Sequence, residues 1–175
     1  MELWCYHWAG WTSEVIPINN GHFTWKETPL GEALLEKTTA SVGVARARAL
    51  DLIGQDHPAK DDVLLIVSEL VTNAVVHADR GRTPIRLRLV TTRDLLVVEV
   101  HDPGSLFDAP RVTDVQDVCA PAGRGLHLVS IICGGRWGSS LLDDRQGRLV
   151  WAALPRTDDA PSAYEIFVAR RQRAA

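Results

Sequence analysis

VLLIVSELVTNAVVHA, residues 63–78, decides how the rest of the chain is read. It holds no glycine or proline and is long enough for about four helical turns. Apolar side chains occupy nearly every side, so a buried helix is expected. Three polar groups interrupt it: Glu69, Asn73 and His77. Their i, i+4, i+8 spacing stacks them along one stripe. A buried carboxylate without a partner costs several kcal/mol even after relaxation. A metal-bound ligand with ordered water would offset that cost, and so would a network of Glu69 and His77 with arginine or backbone groups; the stripe alone fits both. His77 taken singly reads as a structural histidine.

Upstream, Pro58 opens this helix and Gly54 closes an earlier one over residues 41–53, which Ser41 is expected to cap. Val42, Ala45, Ala49, Leu52 and Ile53 fall on one face of it. Residues 22–28 alternate and read as a strand closed by Pro29 and Gly31. Downstream, Gly81 and Pro84 mark a turn, and residues 85–90 and 95–101 read as a hairpin joined by 91–94. Residues 103–122 hold three prolines and read as a loop. A short helix over 125–133 ends at Gly134-Gly135, and two strands, 136–142 and 148–154, flank a turn at 143–147. Helix, helix, hairpin, loop, helix, hairpin is an α+β order, with helices on one face of a mainly antiparallel sheet. The expected organisation is an arm over residues 1–21 carrying Trp4, Trp8 and Trp11, one domain over 22–157, and a tail over 158–175. The arm reads either as surface packing or as a partner-binding segment. Arg170, Arg171 and Arg173 read as a solvated tail.

Two turns add chemistry. Asp102 ends the strand LLVVEVH and is followed by Pro103-Gly104. A carboxylate there can accept a hydrogen bond from an exocyclic amine, and Gly104 lets backbone approach a flat ligand. On these three residues alone a plain Asp-Pro-Gly turn fits better. Gly123-Arg124-Gly125-Leu126 opens the next helix. Its glycines let N–H groups face a phosphate, and the helix N-terminus favours negative charge. Arg124 can pair with phosphate oxygens or sit in solvent. The long loop before this turn reads as a lid.

Composition excludes several classes. A net charge of -3 over 175 residues gives no footprint for direct nucleic-acid binding. No apolar run approaches the roughly 18 residues that span a bilayer, and the start lacks a secretory pattern. Cys5, Cys119 and Cys133 form no C-x-x-C pair, so neither a disulfide framework nor a zinc site is suggested, and a reducing cytoplasm is the expected setting. No G-x-x-x-x-G-K-[ST] run exists. The only lysines, Lys26, Lys37 and Lys60, lie away from these motifs, so phosphate charge must be met by metal, helix N-terminus and arginine.

Taken in order, these segments resemble the GHKL (Bergerat-fold) ATP-binding family, and within it the bacterial anti-sigma-factor serine/threonine kinases. Residues 69–74 with His77-Ala78 resemble the N-box, Asp102-Pro103-Gly104 the first glycine box, and residues 123–126 the second. RWG at 136–138 and GRLVW at 147–151 also resemble the family's small stand-alone members, common in actinomycetes. The resemblance covers roughly residues 39–154 and implies a two-layer α/β sandwich binding ATP and Mg²⁺. It implies that Glu69 is the general base and that Asn73 gives its side-chain oxygen to Mg²⁺. Asp102 would read the adenine amino group, and Gly123, Gly125 and the following helix would hold phosphates. His77, Gly104, Arg124 and Leu126 complete the implied nucleotide site, and residues 105–122 would be the ATP lid. Relatives often carry a threonine on the last strand that holds adenine through water, and Leu149 is read as occupying that place. The implied partners are an anti-sigma antagonist, a sigma factor, or both, with a second copy of the chain as a further partner.

Two functions compete: a kinase that phosphorylates the antagonist, suggested by the intact Glu69/Asn73 pair, and a non-catalytic nucleotide-dependent module that sequesters a partner, suggested by Leu149 and the arm. A histidine kinase fragment fits less well, because none of His7, His22, His57 and His127 lies on a long amphipathic helix and the chain reads as too short for a dimerising helix pair plus this domain.

Overall fold

The computed structural model describes residues 26–77, 83–102, 124–141 and 147–173. They form β1 (Thr28–Leu35), α1 (Ser41–Ile53), α2 (Lys60–His77), β2 (Ile85–Thr91), β3 (Leu95–Asp102), α3 (Arg124–Ile132), β4 (Trp137–Leu141), β5 (Arg148–Pro155) and α4 (Ala163–Arg173). The sheet order is β1-β2-β3-β5-β4 and every pairing is antiparallel. This is the expected α+β fold.

Alternation along the strands builds two cores. Leu87, Leu89, Leu96, Val98, Val100, Ala152 and Leu154 face α1, α2 and α3 and form the main core with them. From α2 it takes Val63, Ile66, Val67, Leu70, Val71 and Ala74, a row at helical period. Val90, Leu95, Val97, Trp151 and Ala153 point the other way and form a second core with Ile166 of α4. The strands are therefore apolar on both faces where α4 covers them. The sequence reading had no helix in residues 158–175. The signal was present as S-x-x-E: the Ser162 N–H and hydroxyl donate to Glu165 Oε2 at 2.8 and 2.7 Å, a reciprocal cap on α4.

Three local expectations change. Pro29 and Gly31 do not close a strand; both lie inside β1, an edge strand that tolerates proline, and the register shifts between them. Gly31 suits its place twice over: its φ of 155° is one that L side chains rarely adopt, and a Cβ there would sit 2.5 Å from Leu52 Cδ2 of α1. Residues 22–25 of the expected strand lie outside the described residues. Ser41 is not a cap but the first residue of α1; it is buried, and its hydroxyl meets that of Thr38 at 3.3 Å. The second helix starts at Lys60 rather than Pro58, because His57 folds back so that its Nδ1 accepts the Ala59 N–H at 3.2 Å. The stops hold: Gly54 ends α1 with φ 89°, and Gly134 and Gly135, with φ 58° and 77°, follow α3. The β2–β3 link is tied by the buried Thr92, whose hydroxyl accepts the Asp94 and Leu95 N–H groups at 3.2 and 3.0 Å.

Candidate functional site

Glu69 and Asn73 lie on the flank of α2, one position before the buried Leu70 and Ala74, and both are half-buried. The stripe is thus not buried as expected. α2 buries one row only, leaving Thr72, Val76 and His77 exposed. Glu69 keeps contact with solvent, so the desolvation argument for a compensating ligand loses most of its force. What replaces it is geometry. α3 packs on α2, and Gly125 in its first turn lies directly against Glu69. A Cβ on Gly125 would overlap the Glu69 carboxylate oxygen and come within 3.1 Å of its Cδ. The helix N-terminus and the N-box carboxylate therefore occupy one place, although they are 56 positions apart in sequence (125 less 69).

Leu126 drives its side chain into the main core and fixes the first turn of α3 there; what it offers a ligand is backbone. A helix N-terminus held in this way presents N–H groups and positive dipole charge to an anion. His77, exposed at the last residue of α2, lies roughly 12 Å along the helix axis from Glu69. Taken singly it reads in the sequence as a structural histidine, and on α2 its side chain is exposed. Gly104, Gly123 and residues 105–122 lie outside the described residues, as does the side chain of Arg124.

Asp102 is the last residue of β3 and half-buried. Leu96, Val98 and Val100 belong to the helix-facing core, so strand alternation puts Asp102 in the same row. α2 packs over β3, so Glu69, Asp102 and Gly125 share the helix-facing side of the sheet. Leu149 does not. It pairs with His101 and lines a depression of about 160 Å³ on the opposite face together with Arg86, Arg88, Glu99 and His101. The adenine-side position given to Leu149 is corrected: on β5 the helix-facing neighbours are Arg148 and Val150.

The opposite face is electrostatically closed at its centre. Arg88 bridges Glu27 and Glu99 at 2.9 Å each, and both carboxylate side chains are 5% exposed. Burial works against the Arg88 charge, but Glu99 and Glu27 outweigh it and hold the guanidinium above its ordinary value. This cluster reads as a stabilising knot in the sheet. At the far end of α3, Cys133 is buried, and that burial pushes its thiol up to about 11, which leaves it inert near neutrality. No cluster of three or more His, Cys, Asp or Glu residues able to hold a metal occurs among the described residues.

A family model described as histidine kinase-like ATPase domain matches residues 32–133, more than half of the chain and inclusive of Glu69, Asn73, Asp102 and Gly125. No curated protein matches the chain.

Proposed function

The chain belongs to the histidine kinase-like ATPase family, which makes it an ATP-binding protein, and on that premise we propose that it is a serine/threonine kinase of the anti-sigma-factor type. Its substrate would be a hydroxyl on an anti-sigma antagonist, and the unengaged protein would hold a sigma factor in the cytoplasm, either singly or as a pair of copies. No helix among the described residues is long and apolar enough to cross a membrane. The observation that carries the reading is the contact of Gly125 with Glu69. It supports the reading because a carboxylate that could accept a proton lies beside a helix N-terminus of the kind that can hold phosphate.

The donor set fits Mg²⁺. An amide oxygen from Asn73, with phosphates and waters, is the sparse all-oxygen environment that this ion accepts, and it needs no protein-only cage. Bound there, Mg²⁺ would neutralise charge on the phosphates. The chain's own groups would do the rest. Asp102 would accept a hydrogen bond from the adenine amino group and fix the base. The N–H groups opening α3 would hold the phosphate oxygens. Glu69 would take the proton from the serine or threonine hydroxyl as its oxygen bonds to the γ-phosphorus. The bond from that phosphorus to the β-phosphate oxygen breaks, and ADP leaves with the electron pair. Positioning and charge stabilisation supply most of the acceleration.

The alternative of a non-catalytic module drew on Leu149, which lies on the opposite face, and on the arm over residues 1–21, which lies outside the described residues. The test is to incubate the protein, Mg-ATP and a candidate antagonist, and to compare wild type with Glu69→Ala. Phosphate transfer by wild type that drops at least about a hundredfold in the variant supports the kinase reading. Equal transfer by both removes Glu69 from its role, and tight Mg-ATP binding without transfer to any antagonist favours the module.

A further inference from the structure

On the face of the sheet turned away from α1, α2 and α3, side chains run in rows across all five strands. One row is Leu34, Arg86, His101, Leu149 and Ser140, each the cross-strand partner of the next. α4 covers the other half of this face, where Val90, Val97 and Ala153 share a core with Ile166. Among the described residues no helix covers the half that holds the row. Leu34 is 62% exposed there, Arg86 is exposed and Leu149 is half-buried. Arg88 is engaged by Glu27 and Glu99, which leaves Arg86 as the arginine of the depression with no ion pair among the described residues.

Where the described chain begins decides what can reach this half. Glu27 is tied to Arg88 at 2.9 Å, so the chain enters the domain on this side of the sheet. Residues 22–25 can span up to roughly 13 Å when extended, more than the two strand spacings of about 4.8 Å that separate β1 from β3. The segment beyond them, residues 1–21, holds Trp4, Tyr6, Trp8 and Trp11 with Glu2 and Glu14, and neither lysine nor arginine. Indole rings bury large areas against aliphatic side chains and stack on guanidinium groups. The two carboxylates complement the charge of Arg86. We propose that residues 1–21 fold back in cis over this row, with tryptophan rings on Leu34, Arg86 and Leu149. The arm is then the N-terminal counterpart of α4, and the two close opposite halves of one face.

Hydrogen exchange read by mass spectrometry on the full chain tests this in wild type, Arg86→Glu, Leu34→Ser and the control Arg46→Glu, which reverses an exposed charge on α1. In wild type, peptides from residues 1–21 are expected to exchange at least about tenfold more slowly than unstructured chain, and equally so at low and high protein concentration. Arg86→Glu sets a carboxylate against Glu2 and Glu14 and is expected to remove that protection, while peptides of β2 and β3 keep theirs and show the fold intact. Leu34→Ser, at the exposed edge of the row, is expected to weaken it, and Arg46→Glu to leave it as in wild type. Arm peptides that exchange at the unstructured rate in wild type overturn the proposal and leave the face to an external partner. Protection that rises with concentration overturns it in favour of a second copy. Protection unchanged in Arg86→Glu and Leu34→Ser overturns it by placing the arm elsewhere.

Discussion

Gly125 packs its backbone against the Glu69 carboxylate, so closely that a Cβ at that point could be accommodated only by moving the carboxylate. The glycine therefore leaves the carboxylate in place, and under the proposed function it would also leave room for phosphate. Gly125→Ala should force the carboxylate aside and lower ATP affinity by about tenfold or more. The double variant Gly125→Ala/Glu69→Ala removes the overlap, so binding should recover while phosphate transfer stays lost. Titration calorimetry on both proteins checks this, and a double variant no better than Gly125→Ala would show that the overlap is not the cause.

The Glu27–Arg88–Glu99 bridge predicts an asymmetric mutational response. Arg88→Met leaves two nearly buried carboxylates without their cation and should destabilise the fold by about 3 kcal/mol, the low end for a broken buried pair because Arg88 is partly exposed. Adding Glu99→Gln should restore part of that loss. Urea unfolding of the two proteins gives the comparison, and equal stabilities would contradict it.

At the edge strand, Gly31→Ala should cost about 1–3 kcal/mol, since its methyl would overlap Leu52. Shortening the partner in Gly31→Ala/Leu52→Val should return some of it. The midpoints of denaturant curves report the difference, and additive losses in the double variant would refute the packing account.

Ser162 lowers the Glu165 carboxyl below its ordinary value, first through its backbone N–H and then through its hydroxyl, against a small opposing effect of burial. A depressed folded value means that the stabilisation is complete above the ordinary glutamate value and is lost as pH falls through the folded one. α4 should therefore loosen from the sheet at acid pH, below about 4.5. Because Ile166 and Trp151 share a core, tryptophan emission should report the step, and Glu165→Gln should abolish its pH dependence. A step of unchanged size in that variant would place its cause elsewhere.

Much of this was legible in the chain. The period of residues 63–78 located α2, Gly54 and Gly134-Gly135 marked two helix ends, and two short apolar runs gave the β2–β3 hairpin. What eluded sequence reading has physical causes. LVWAAL on β5 is apolar on both faces because α4 covers the second one, so no alternation tells which of Arg148, Leu149 and Val150 faces the helices. Pro29 and Gly31 read as a stop, but an edge strand tolerates the first, and the second serves a positive φ beside Leu52. The degree of burial on α2 was overestimated because Leu64, Leu65 and Val75 are only half-covered and Val76 is exposed. That Gly125 touches Glu69 depends on how α3 packs, which motif spacing implies only through resemblance.

The most direct test of the central claim is calorimetric titration of ATP into wild type and Asn73→Ala, each with magnesium and with EDTA. The account predicts binding by wild type that weakens at least about tenfold when magnesium is removed, and binding by Asn73→Ala that is weak and indifferent to magnesium. No ATP binding by wild type, or the same magnesium dependence in both proteins, would contradict it.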